Sequence, residues 1–149
     1  MSNEGQDFNA YAAAGTADMV ARLAARMKQA LSDMRQRHRL REEIGEMERN
    51  GGLDSLLADV GLTRGDVDAV IAGFPESGRL LQAMAERLQV DYDSIKDAAI
   101  RFELQRTCTM CSTRGRCRTW LRSAETEGYR DFCPNGARFD ELRGHAAAP

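Results

Sequence analysis

Val20-Ala21-Arg22-Leu23-Ala24-Ala25-Arg26-Met27-Lys28-Gln29-Ala30-Leu31-Ser32-Asp33-Met34 sets Val20, Ala24, Met27, Leu31 and Met34 at alternating spacings of four and three. That period is the apolar stripe of an α-helix. Outward from it, no Pro occurs between Ala17 and Arg49, and the only Gly there is Gly45. Thr16 is a suitable N-cap. Leu40, Ile44 and Met47 continue the stripe in shifted phase after the Arg35–Arg41 cluster. The pattern predicts one long helix over residues 16–50, or two with a kink near His38. So narrow a stripe suits either a coiled-coil seam or a helix lying on the rest of the domain. The seam reading makes residues 17–49 a site of self-association or of contact with a protein partner.

Asn50-Gly51-Gly52 stops this helix, because Gly and Asn accept left-handed backbone angles. Shorter helices follow. Leu53, Leu56, Leu57 and Val60 form one apolar face. Thr63 and Asp66 form a capping box ahead of Val67, Val70 and Ile71. After Gly73-Phe74-Pro75, Ser77 is the expected cap of a helix carrying Leu80, Leu81, Met84 and Leu88. Asp91 or Asp93 is the expected cap of a last long helix, with Ile95, Ala98, Ala99 and Phe102 inward.

Composition agrees with an all-α chain. Aromatic residues are 6% of the 149, and no run alternates β-branched and polar residues. The expected fold is a small helical bundle with a long N-terminal helix and a cysteine-ligated C-terminal module. Residues 1–15 and 144–149 read as disordered ends, and 51–143 as the helical domain. The polar start lacks the apolar stretch of a signal peptide, and no run suits a membrane span, so a cytoplasmic location is expected. The net charge of −2 conceals two basic segments, 22–41 and 101–123, around an acidic middle. Arg35, Arg37, Arg39 and Arg41 are candidate contacts for a polyanion or a protein partner. Opposing this, acidic and basic helices can neutralise one another within a fold, and Asp66 and Asp68 would repel DNA phosphate from the short helices of 53–72.

The chemistry gathers near the C-terminus. Cys108-Thr109-Met110-Cys111, Cys117 and Phe132-Cys133-Pro134-Asn135 give the pattern C-x2-C-x5-C-x15-C-P. Four cysteines in a chain expected to be kept reduced point to metal ligation by Cys108, Cys111, Cys117 and Cys133. Four thiolates suit an iron–sulfur cluster or Zn2+. Zinc sites favour two close ligand pairs, whereas Cys117 and Cys133 come singly. That spacing, with Pro134 after the last cysteine, favours a cluster, [4Fe–4S] before other types. Reversible disulfides or free buried thiols are the remaining alternative. Around the cysteines, Arg114, Arg116 and Arg118 are placed to offset thiolate charge, and Trp120, Phe132 and Pro134 to shield the site. His38 and His145 are remote from the cysteines, and no nucleophile triad or phosphate loop occurs, so no enzyme activity is expected.

Three resemblances accompany this reading. Leu57-Ala58-Asp59-Val60-Gly61-Leu62-Thr63-Arg64-Gly65-Asp66-Val67, with the basic helix upstream, is similar to the arginine-rich YjiS-like proteins of bacteria over residues 35–71. Some of those look RNA-associated, which implies an RNA contact for the basic helix. Residues 108–121 resemble the iron–sulfur segment of WhiB-like regulators, with Cys108, Cys111 and Cys117 matching three ligands and Arg114 their frequent arginine. Their fourth cysteine lies upstream, whereas Cys133 lies downstream, so the resemblance implies similar coordination alone. Met84-Ala85-Glu86-Arg87-Leu88-Gln89-Val90-Asp91, Cys108/Cys111, Arg116-Cys117-Arg118-Thr119-Trp120-Leu121 and Phe132-Cys133-Pro134-Asn135 together resemble a family of short uncharacterised proteobacterial proteins over residues 78–143. The implied function is an iron–sulfur protein that senses redox state, oxygen or iron, or passes an electron to a partner. The alternative is a structural zinc module whose basic helix binds RNA or protein.

Overall fold

A computed structural model of the chain describes the backbone of residues 4–146 and the side chains of residues 18–144. Thr16, His145 and nearly all of the two expected disordered ends lie outside the described side chains. Every regular element among the described residues is helical: α1 (Glu4–Arg49), α2 (Leu53–Asp59), α3 (Val67–Gly73), α4 (Glu76–Arg87), α5 (Ala98–Met110), α6 (Arg114–Arg122) and α7 (Gly136–Ala146). Short 3-10 turns occupy Arg64–Asp66 and Tyr129–Asp131. The chain is therefore all-α. It divides into two compact units, Met1–Gln36 and Arg37–Pro149.

The described part of the first unit is helix α1, which runs without a break through His38. Its stripe is open. Val20, Met27, Leu31 and Met34 are each more than half exposed, and Met19 and Leu23 widen the same apolar surface. Polar side chains pair along the helix, Arg22 with Asp18 at 2.5 Å and Gln29 with Asp33 at 2.8 Å.

The second unit is built from short helices with well-defined ends. At the end of α1, Gly51 takes φ +72°. There the Gly52 N–H reaches the Met47 carbonyl and the Gly51 N–H reaches that of Glu48, the paired bonds of a Schellman stop. The same pair of bonds closes α4, where Val90 reaches Ala85 and Gln89 reaches Glu86. Here the left-handed position is Gln89, at φ +58°. Ahead of α3, the Thr63 N–H and hydroxyl both donate to Asp66 Oδ2, at 2.8 and 2.7 Å, which is the expected capping box. The helix it opens begins as a 3-10 turn.

Two expected caps are corrected. Ser77 is buried in the first turn of α4, its hydroxyl 3.4 Å from that of Thr109, because Pro75 already sets the helical entry and the helix starts at Glu76. Helix α5 is capped by Asp97, which accepts from the Ala99 N–H at 2.8 Å, not by Asp91 or Asp93. Asp91 is used in a turn that accepts the Ser94 N–H. Ile95 is buried as expected, but Ala98, Ala99 and Phe102 face outward because the late start rotates the helix. Leu56, expected on the inner face of α2, is 43% exposed, whereas Leu53 and Leu57 are buried.

One core joins these elements. Leu81 and Met84 of α4, and Leu88 at its C-terminal cap, join Leu104 of α5, Cys117 and Trp120 of α6, and Phe139 of α7, with Tyr129 and Phe132 from the segment between the last two helices. Helix α4 lies against both α5 and α6, and α3 lies against α5. Gly73 permits the α3–α5 approach, since a Cβ there would stand 2.6 Å from the Thr109 carbonyl oxygen. Arg37, a candidate polyanion contact, donates at 2.7 Å to the Phe74 carbonyl in the turn after α3. Arg39 and Arg41 are exposed.

Two substitutions probe these positions. Gly73→Ala forces backbone apart at a core contact and lowers stability by about 1–3 kcal/mol in urea unfolding. Gln89→Gly relieves a left-handed strain and raises stability by about 1 kcal/mol in the same assay.

Candidate metal centre

The four cysteines reach one place from three segments. Cys108 and Cys111 lie at the C-terminal end of α5 and its cap, Cys117 lies in the first turns of α6, and Cys133 lies in the loop before α7. All four are free thiols lining a single small cavity, together with Leu80 and Met84 of α4 and with Thr113, Phe132, Pro134 and Asn135. Each of the six cysteine pairs is close enough for the sulfur charges to act on one another. The sequence-predicted ligand set is thus brought together without exception.

The elements holding the sulfurs are tied by hydrogen bonds. Arg114 Nη1 donates to the carbonyls of Thr109 and Cys111, at 3.0 and 2.6 Å, and so fixes the C-x2-C turn. The Thr113 hydroxyl donates to the Phe132 carbonyl at 2.7 Å and stands 3.1 Å from Cys111 Sγ, which links that turn to the last cysteine's loop. Asn135 is 4% exposed. Its Nδ2 donates to the Leu104 carbonyl at 3.0 Å and to Cys108 Sγ at 3.3 Å.

The remaining predicted neighbours act at different points. The Arg116 guanidinium lies 5.4 Å from the centre of the Phe132 ring, a cation–π contact. Arg118 pairs with Glu76 at 2.5 Å, and its charge still favours the Cys117 thiolate. Trp120 is buried against Tyr129 and Phe132, with ring centroids 5.6 and 6.2 Å away. Its indole N–H donates to the Glu127 carbonyl at 2.7 Å, and Arg87 stacks over it while donating to the Ser123 and Glu125 carbonyls. Phe132 and Pro134 line the cysteine cavity directly.

Electrostatics state what this arrangement lacks. Burial pushes the Cys108 thiol up to about 12, with the Cys133 sulfur adding to the effect. Burial likewise pushes Cys117 up to about 11, and raises Cys133. Deprotonating several thiols so close together would require a compensating cation. A thiophilic metal centre would supply it and displace the protons. The donor set, four soft sulfurs with an N–H group aimed at one of them, fits iron–sulfur or zinc ligation. The cavity they line measures about 20 Å³, room for about one water-sized sphere. No three of the described Cys, His, Asp or Glu side chains converge on one ion-sized point.

Asn135, Thr113, Leu80 and Met84 were not singled out from the sequence as site residues. Asn135 carried a signal, its place in Cys133-Pro134-Asn135, two residues after a candidate ligand. Leu80 and Met84 read only as core positions, and nothing local marked Thr113.

Residues 72–145 match DUF6455, a family of unknown function. The matching span contains all four cysteines and Asn135, and encloses residues 78–143, where the resemblance to uncharacterised bacterial proteins lies. No curated protein and no solved structure matches the chain.

Beside the centre, Arg130 grips Asp140 through Nε and Nη2 at 2.6 and 2.8 Å, and the buried Tyr129 hydroxyl donates to the same carboxylate. The Arg130 guanidinium, followed by the Tyr129 hydroxyl, holds the Asp140 carboxyl below its usual range. A depressed carboxyl stabilises the fold above the unfolded value and loses that contribution as pH falls through the folded one. Wild-type stability is therefore expected to decline as pH drops below about 4. Asp140→Asn is expected to be weaker at neutral pH and to lose less on acidification, read from urea midpoints of the two proteins across pH 2–7.

Proposed function

We propose that Cys108, Cys111, Cys117 and Cys133 hold an iron–sulfur cluster, [4Fe–4S] with one cysteine for each iron, in a cytoplasmic protein that responds to redox state, oxygen or iron, or passes an electron to a protein partner. The observation carrying this reading is that four free thiols from three segments line one apolar cavity. A cubane suits such a set, with one cysteine for each corner. The Phe132, Leu80 and Met84 side chains would keep water from the sulfurs, and the Asn135 side-chain amide would accommodate their charge. The protein is proposed to act by binding and response; no catalytic group set is assigned to it. No helix among the described residues is long and apolar enough to cross a membrane. The open stripe of α1 supports contact with another chain, either a second copy or a protein partner.

One observation favours a second reading, a structural zinc module whose Arg35, Arg37, Arg39 and Arg41 segment binds RNA or protein. The cavity of about 20 Å³ suits one ion better than a cubane, and four thiolates close a structural zinc site with no open position.

Anaerobic purification followed by absorbance and metal analysis separates the two. The cluster reading expects broad absorbance near roughly 400 nm with matched iron and sulfide, lost in Cys133→Ser. About one zinc per chain, no colour and no sulfide would establish the second reading instead. Neither metal in wild-type protein would overturn both.

A further inference from the structure

We infer that Asn135 is the charge-tuning residue of the cysteine centre, donating a side-chain N–H to the Cys108 sulfur from a buried position two residues after Cys133. This rests on the metal–thiolate reading of the site. Asn135 occupies a position where few side chains serve. It is buried, and its amide nitrogen has two hydrogens. One is used on the Leu104 carbonyl at 3.0 Å, which fixes the direction of the other, and that one points to Cys108 Sγ at 3.3 Å. Its carbonyl accepts the Phe139 N–H at 2.9 Å and so starts α7. The donor is therefore held by contacts that do not involve the sulfur, and it stands in place before any metal arrives.

The consequence is electrostatic. A thiolate ligand that accepts an N–H bond gives less charge to its metal, and a centre carrying several thiolates gains most from such donors because its own charge is the chief cost of burial. The arginines do little of this work, since Arg114 is bonded to backbone carbonyls, Arg116 lies on Phe132 and Arg118 pairs with Glu76. Asn135 also ties a ligand on α5 to the loop before α7, which carries Cys133.

Cadmium is a suitable probe, being thiophilic and magnetically active as the 113 isotope. Wild-type protein loaded with 113Cd2+ is expected to show the ultraviolet charge-transfer band of cadmium–thiolate bonds. Its proton–cadmium correlation spectrum is expected to connect the metal to a side-chain amide proton of Asn135, through the N–H···S bond to Cys108. Asn135→Ala is expected to shift the charge-transfer band to longer wavelength and weaken cadmium binding by about 10–100-fold. The correlation uses unaltered protein, so the inference remains testable if the variant does not fold. A thiolate band in wild type without that amide correlation would overturn the role of Asn135 and leave the metal reading standing, as would an unchanged band and affinity in a folded variant. No thiolate band in wild type would remove the metal reading and this inference with it.

Discussion

Four thiols gathered at the edge of the core are the constraint around which the C-terminal unit is organised. As thiols they are small apolar groups and add to the core, where Cys117 sits among Trp120, Phe132 and Leu104. As thiolates they would be several like charges in a poorly solvated space, which cannot persist without a cation. On the proposed reading, the same positions would serve two states of the unit, a protonated one held by packing and a metallated one held by ligation. The polar contacts between α5, α6 and the loop before α7 hold the sulfurs near one another in the first state, so a metal meets ligands already gathered.

Packing explains why those contacts survive. Helix α4 packs Leu81 and Met84 into the core it shares with α5 and α6, and all three helices contribute to the lining of the cavity. The loop carrying Cys133 gains its rigidity from outside, through Tyr129, Arg130 and Asp140 and through the aromatic contacts with Trp120. Gly73 brings α3 against the end of α5, directly behind the C-x2-C turn. Stability and ligand geometry thus share the same residues, and a core change near Thr109 or Trp120 disturbs both.

Much of this was legible in the sequence, for identifiable reasons. The four-and-three spacing from Val20 to Met34 implies helix regardless of surroundings, and the stops at Gly51 and the box of Thr63 with Asp66 depend on neighbouring residues only. The gathering of the four cysteines at one cavity was legible because their number and spacing are unusual by chance. The start of α5 was not, since Asp91, Asp93 and Asp97 are all adequate caps and the choice falls to Ile95, which the core draws in ahead of the helix. Whether the stripe of α1 meets a partner was equally hidden, because exposure depends on the tertiary surroundings. Asn135 was visible as a neighbour of Cys133, but nothing local could connect it to Leu104 and Cys108, 31 and 27 residues away.

The chain order of the ligands has a consequence during synthesis. Cys108, Cys111 and Cys117 precede Cys133, and the segment that braces Cys133 extends to Asp140. At translation rates of about 5–20 residues per second, roughly 1–5 s pass between the appearance of Cys117 and that of Asp140. For the first part of that interval, until Cys133 and Asn135 emerge, the nascent chain carries three of its thiols without the fourth, and without the asparagine that bonds Cys108. Gathering of the four sulfurs is thereby deferred until the segment through Asp140 has emerged.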